Sequence, residues 1–314
     1  MPRYRDHLPQ LDGGVFLTDG GLETTLIFDD GFELQDFAAF LLLHDGAGRA
    51  ALVRYFEAYV AIAVRDGVGI VLETPTWRAS PDWAERLGCS PDELVAIHHD
   101  AFAQLLDIRR AHETAATPIV LSGCIGPRGD GYEVGAAMTV DEAARYHAVQ
   151  AETFAGTEVD LVTAITMTYV DEAIGVTEAA RTAGLPVVIS FTVETDGRLP
   201  SGQGLGEAIE AVDAATGSYP AYYMVNCAHP THFAHVVDGS HGWSSRLGGL
   251  RANASTLSHA ELDEAEELDA GDPIDLASRY KALRDRLPDL RVLGGCCGTD
   301  HRHIDAISTA CAPR

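Results

Sequence analysis

Lysine is all but missing from this chain: Lys281 is the only one in 314 residues. A mechanism built on a Schiff-base lysine, or on the lysine of a phosphate-binding loop, has almost nothing to use. Positive charge of any kind is scarce, with 22 Lys and Arg against 47 Asp and Glu and a formal net charge of −25. Such a surface repels nucleic acid and anionic membrane, which sets both aside as partners. It steers a cationic small molecule inward at low salt, although the same acidity also serves solubility alone. No apolar stretch approaches the roughly 20 residues that span a bilayer. No basic-then-apolar leader opens the sequence, so the expectation is a cytoplasmic protein with reduced thiols.

What is present is led by cysteine. Six occur, at 89, 124, 227, 296, 297 and 311. The run Gly294-Gly295-Cys296-Cys297-Gly298-Thr299 is the most informative. Neighbouring residues of a strand point to opposite faces, so a vicinal pair cannot pack as a simple core pair. Both thiols face one ligand only where the backbone turns sharply, and glycine permits such a turn. The pair follows the apolar run Leu290 to Leu293 and precedes a helix expected to begin near Asp300. Cys227 occupies a matching place after Tyr222-Tyr223-Met224-Val225-Asn226. Three thiolates from two strand ends make a Cys₃ zinc (Zn2+) site with one position open, as catalytic zinc requires. Buried structural thiols and a vicinal disulfide are the competing readings. Three cysteines so placed disfavour the first, and a reducing compartment the second.

Short apolar runs alternate with longer amphipathic segments. Strands are expected at Val15–Thr18, Val68–Leu72, Pro118–Ser122, Val159–Ile165, Pro186–Phe191, Ala221–Asn226, Arg246–Leu250 and Leu290–Leu293. Their continuous Val, Ile and Leu content suits a parallel sheet buried on both faces. Helical patterns lie between them, among them Arg49–Arg65, Pro91–Arg110, Ala143–Phe154, Asp171–Thr182 and Pro273–Leu287. Thr139 with Glu142 forms the pattern of a capping box ahead of the third. Eight βα units without a linker predict an α/β fold, a single (β/α)₈ TIM-type barrel over residues 1–314. The acidic stretch Glu261–Asp272 reads as a solvated helix face or loop. Active sites of such barrels gather at the carboxyl ends of the strands. That gathers Asp19, Glu23, Glu73, Thr74, Thr166, Asn226 and the three cysteines as candidate site residues.

The residues then show a likeness. Thr18-Asp19-Gly20-Gly21, Asn226-Cys227 and Gly294–Thr299, in that order, resemble the zinc-dependent homocysteine S-methyltransferases. That family includes betaine-, S-methylmethionine- and folate-linked members. Gly123-Cys124-Ile125-Gly126-Pro127, and Ser190-Phe191-Thr192 with Asp196-Gly197-Arg198-Leu199 and Gly202, fit its third and fifth strand patterns. The resemblance implies that Cys227, Cys296 and Cys297 bind zinc and act in catalysis, with Asp19 beside the thiol substrate. It further implies methyl transfer from an onium donor (S-methylmethionine, S-adenosylmethionine or betaine) to homocysteine, giving methionine. Two departures fall on the substrate side. Many members carry an acid after strand four that holds the homocysteine amino group, and this chain has Ile165 there. Glu73-Thr74-Pro75-Thr76 stands where a Thr-Asn-Thr is frequent. Glu73 or Glu23 then replaces the missing carboxylate, or the acceptor is another small thiol or selenol.

The expected chemistry is thiol activation. A free thiol, with a pKa of roughly 8.5, is mostly protonated at pH 7, and zinc lowers that value. The activated sulfur displaces a methyl group from a cationic donor, held by a carboxylate or by an aromatic face such as Glu73 or Trp77. Trp77 is equally well read as a packing residue. A zinc hydrolase fits poorly, because three thiolates weaken the Lewis acidity of the metal. A non-catalytic zinc- or thiol-binding barrel is the remaining alternative, and Ile165 is its support. Cys89, Cys124 and Cys311 are read as structural. His229, His232 and His235 are read as structural or exposed, since Pro230 starts a helix leading away from the barrel mouth. Enzymes of this size often form symmetric oligomers, which leaves a homo-oligomer open.

Overall fold

The computed structural model describes residues 1–237, 239–265 and 267–312. Eight parallel strands close a barrel in sequence order. They are β1 Phe16–Leu17, β2 Gly69–Glu73, β3 Ile119–Ile125, β4 Leu161–Met167, β5 Val187–Thr192, β6 Tyr223–Asn226, β7 Leu247–Ala252 and β8 Val292–Gly295. Pairing of Phe16 with both Gly69 and Val292 closes the ring. The expected (β/α)₈ barrel is therefore the observed fold, with strand boundaries displaced by a few residues.

A helix follows each strand: α1 Gly46–Asp66, α2 Pro91–His112, α3 Val140–Ala155, α4 Val170–Thr182, α5 Leu205–Thr216, α6 Pro230–Phe233, α7 Pro273–Arg284 and α8 His301–Cys311. The starts are chemically marked. Thr139 accepts from Glu142 N while the Glu142 carboxylate accepts from Thr139 N, the reciprocal box expected ahead of α3. Ser90 and Glu93 repeat it at α2. Each such cap satisfies donors that a helix start leaves free and contributes about 1 kcal/mol. At α6 the helix is a single turn, capped at its start by the His229 side chain.

The core has two parts. The larger lies between the sheet and the helices and includes Phe40, Phe56, Phe154, Phe191 and Tyr280. The smaller plugs the barrel interior with Phe16, Val71, Val120, Leu161, Val188, Met224 and Val292, one layer of inward side chains. Leu8 from the amino-terminal segment joins this plug from below. Each fully buried side chain of this kind contributes about 1.5–3 kcal/mol. With the amino end of the barrel filled, the open volume lies at the carboxyl ends of the strands. The acidic stretch at 261–272 is solvated as expected, none of its described residues being buried, and part of it also reaches the cleft. His259–Asp263 is a short helix, and Leu262, Asp263, Glu267 and Asp269 line the cleft at the barrel mouth.

Candidate active site and metal centre

The cleft has a volume of about 420 Å³. Its floor is sulfur. Cys227 follows β6 with φ +51°, an αL conformation that costs a non-glycine residue about 1–2 kcal/mol. Cys296 and Cys297 follow β8, and the chain escapes into α8 through Gly298, whose φ of +76° suits glycine alone. Asp300 accepts from Arg302 N to cap α8. The ligand atoms of Cys227, Cys296 and Cys297 lie within 4.8 Å of one another. Among the described residues no other group of His, Cys, Asp and Glu converges this way.

Three soft thiolates with an open side toward a cleft fit zinc by donor chemistry. The Cys227 and Cys296 sulfurs are drawn into direct contact, and Cys297 stands beside them as a free thiol. The Cα atoms of Cys227 and Cys296 are 5.3 Å apart, well inside disulfide range, so the backbone that converges two ligands also lets them bond. Both sulfurs can serve as ligands only in the reduced pair.

Around the floor the backbone is held by side chains. His259 Nε2 donates to the Cys227 carbonyl at 2.6 Å, and Asn253 Nδ2 donates to the same oxygen at 3.1 Å. Tyr132, from the loop after β3, stacks on His259 with ring centroids 4.1 Å apart. Its hydroxyl lies 3.6 Å from Cys297 Sγ. Burial pushes the Cys297 thiol up, with the Tyr132 hydrogen bond opposing. A divalent cation would reverse that preference, since a coordinated thiol is deprotonated.

The wall toward β1, β2 and β7 is charged. Arg251, near the end of β7, is buried with its Nη2 2.8 Å from Asp19 Oδ1 and its Nη1 on Glu73 Oε2. It also donates to the carbonyls of Gly295 (3.0 Å) and Gly20 (3.2 Å). Tyr55 Oη donates to Asp19 Oδ2 at 3.0 Å. Burial raises the pKa of Asp19 and of Glu73, and Arg251 pulls both back. Burial works against the Arg251 charge as well, but the two carboxylates more than overcome it and the guanidinium stays charged. Among the described residues Glu23 lines the same cleft without a side-chain ion pair, and burial pushes its pKa up to about 7. Asp130, Asp263, Glu267 and Asp269 complete an acidic rim that, among the described residues lining the cleft, only Arg78 and Arg251 oppose with a permanent positive charge.

The structure brings most of the expected site residues together. Asp19, Glu23, Glu73, Thr74 and Thr166 line the cleft with the three cysteines. Asn226 does not line it. Its Oδ1 accepts from Thr166 N (2.9 Å) and Ser190 Oγ (2.7 Å), and its Nδ2 donates to Thr166 Oγ1 (2.8 Å). That amide fixes Thr166, whose φ is +64°, at an irregularity where the β4–β5 register shifts between Ala164 and Met167. Ile165 lines the cleft at the place of the absent acid. Trp77 faces Arg78 at 4.0 Å, so one ring face is already engaged by a cation. Cys124 lines the cleft rather than lying behind it. His229 caps α6, and His232 Nε2 lies 2.9 Å from Thr256 O.

Sequence reading missed Arg251, Arg78, Tyr132 and His259. Arg251 carried a signal, a cation continuing a buried strand in a chain poor in cations. Tyr132 sits on a loop and His259 opens a one-turn helix, and no periodicity reveals the course of either.

Comparison with known proteins places this geometry. The sequence matches the homocysteine S-methyltransferase family over residues 16–311. No curated protein matches it. The fold resembles the homocysteine methyltransferase MmuM from Escherichia coli in its oxidized form, with TM-score 0.76, 18% identity, and 94% of this chain and 95% of that one covered. The metallated form gives TM-score 0.74 at 18% identity, covering 95% and 97%. The apo form gives 0.65 at 19% identity, covering 95% and 96%. Strand ends that carry Asp19, Cys227, Cys296 and Cys297 in family order, on a matched length of nearly the whole chain, leave one assignment: the chain belongs to the homocysteine S-methyltransferase family and is an S-methyltransferase.

Proposed function

We propose that this enzyme uses zinc, held by Cys227, Cys296 and Cys297, to methylate homocysteine from a cationic onium donor, giving methionine. The observation that carries the proposal is the convergence of three cysteine sulfurs within 4.8 Å on the floor of an acidic cleft. Zinc, when bound there, supplies the lowered thiol pKa that makes a sulfur nucleophile available at neutral pH.

The chain's own residues do the rest. The acceptor sulfur must approach the open side of the cysteine triad, beside which Tyr132 and His259 stack, so those two rings help to exclude water from the reacting atoms. The donor's positive charge is drawn by a rim of carboxylates and disappears as the methyl group leaves. Its binding is therefore strongest before transfer, and the neutral product departs freely. Among donors, S-methylmethionine and S-adenosylmethionine carry the sulfonium that this rim favours. A methylfolate is anionic and meets the same rim with repulsion. Asp19 and Glu73 are engaged by Arg251, which leaves Glu23 as the cleft carboxylate available to the acceptor's ammonium group.

A second reading is kept alive by one observation: Ile165 presents an apolar surface where an ammonium-binding acid would stand, so a different small thiol or selenol is the alternative acceptor. The test is a screen of reduced, zinc-loaded enzyme with homocysteine and each donor, following methionine by mass spectrometry with Cys296→Ser as control. Methionine from a sulfonium donor, absent in the variant, supports the proposal. Stoichiometric zinc without methionine from any donor refutes homocysteine as acceptor.

A further inference from the structure

Arg78 is a buried charge whose donors are mostly unused among the described residues. It is 7% exposed, in the segment after β2, and lines the cleft. Its guanidinium has five N–H donors. Among the described residues it makes one hydrogen bond, Nη1 to Gly129 O at 2.9 Å. Asp130 stands off at 3.9 Å, beyond hydrogen-bond reach. Nε has no acceptor, and neither does Nε1 of the adjacent Trp77, although both are buried. Two indole rings hold the group flat, with Cζ 4.0 Å from the centroid of Trp77 and 4.0 Å from that of Trp83. Stacking fixes the plane of an arginine and leaves its edge to a bidentate partner. Leaving such donors unmade costs the folded protein free energy that a ligand would recover.

We propose that Arg78 is the carboxylate receptor of the cleft and that, with Glu23, it selects substrates bearing an α-amino-acid headgroup. Glu23 supplies the complementary charge. It lines the same cleft, makes no ion pair among the described residues, and its charge is felt by Arg78. A carboxylate on Arg78 and an ammonium group on Glu23 satisfy both with one zwitterion. The inference rests on the proposed methyl transfer and narrows its substrate class. Both homocysteine and S-methylmethionine carry the headgroup, and the experiment separates them.

The test uses reduced, zinc-loaded wild type, Arg78→Met and Arg78→Lys, with binding read by calorimetry. The probes are two pairs: homocysteine with 3-aminopropane-1-thiol, and S-methylmethionine with (3-aminopropyl)dimethylsulfonium. The second member of each pair lacks only the carboxylate. A charge-assisted contact predicts that Arg78→Met weakens one carboxylate-bearing member by about tenfold to a hundredfold and its partner by less than about twofold. Loss on the thiol pair assigns the headgroup to the acceptor, and loss on the sulfonium pair to the donor. Arg78→Lys keeps the charge without the fork and is expected to show the same selectivity at reduced size. It also serves if the Met variant does not fold. Equal loss on both members of each pair marks Arg78 as merely structural, through Gly129, and overturns the inference. So does no loss, or no binding of any probe by wild type. Wild-type turnover with homocysteine judges the proposed function separately.

Discussion

Replacing Arg251 by Met removes the one cation that two buried carboxylates share. Asp19 and Glu73 are 3% and 6% exposed, so neither recovers its hydration when the guanidinium is gone. The carbonyls of Gly20 and Gly295 lose a donor as well. Breaking a buried ion pair by removing one partner costs about 3–5 kcal/mol, and here two anions are stranded. The folded variant lowers that cost by binding a proton. Burial already raises both carboxyl pKa values, and without Arg251 nothing opposes it. Above the ordinary carboxyl pKa the folded variant then holds more protons than the unfolded chain, so its stability falls as pH rises. One extra bound proton gives a slope of about 1.4 kcal/mol per pH unit relative to wild type. Denaturant unfolding of reduced wild type and Arg251→Met, from about pH 5 to about pH 8, reads the deficit directly. The expected deficit is about 3–5 kcal/mol near neutrality and shrinks by about 2–3 kcal/mol at the acid end. Adding Glu73→Gln should return part of it, since one stranded charge disappears. A deficit below about 1 kcal/mol, or one independent of pH, would refute the reasoning.

Cys296→Ser is expected to lower bound zinc well below one per chain and abolish methyl transfer, both read on one sample; full zinc with activity retained rules out the Cys₃ site. Asn226→Ala strips Thr166 N of its acceptor, so a stability loss of about 1–3 kcal/mol and a lower kcat with unchanged zinc content are expected; a normal kcat would detach the β4 irregularity from catalysis. Burial lowers the His98 pKa from 6.5 to about 4, so the unfolded chain binds a proton there before the fold does. That contribution is complete above about pH 6.5 and is lost as pH falls to about 4, amounting to roughly 3 kcal/mol. Denaturation of His98→Gln against wild type across that window should show the acid limb flattened. The acidic rim predicts that kcat/KM for S-methylmethionine falls severalfold between about 0.02 and 0.5 M salt at constant kcat; a flat profile means the rim does not steer the donor.

The cysteine cluster was legible because each of its members is fixed by its immediate neighbours. Cys227 follows a strand run, and Cys296 and Cys297 sit in a glycine turn between a strand and a capped helix. Sequence-local rules place such residues at the barrel mouth without knowledge of any distant contact. The barrel itself was legible for the same reason, since eight apolar runs and the helices after them are local patterns. The loops were not. The 261–272 stretch reads as solvated from its acids, and its described residues are so, but nothing in those acids tells that Leu262 and Leu268 line the cleft. The charge pairing was hidden by separation, because Glu73 and Arg251 are 178 residues apart.

That pairing changes what the missing acid at Ile165 means. Counting carboxylates at the strand ends suggests several replacements, because Asp19, Glu23 and Glu73 all lie there. Counting charges after folding leaves one, since Arg251 engages Asp19 and Glu73 together. The same count on the cationic side leaves Arg78, whose donors are almost unused. A substrate headgroup bound by these two lies toward the loops after β1 and β2, not over β4. An apolar Ile165 then faces the substrate's hydrocarbon chain, where a carboxylate would be a stranded charge. The departure at strand four and the unspent pair at Glu23 and Arg78 are thus one rearrangement of the cleft, and restoring an acid by Ile165→Glu should weaken rather than improve the binding of homocysteine. Tighter binding in that variant would show that the headgroup still belongs over β4 and that Arg78 serves only its loop.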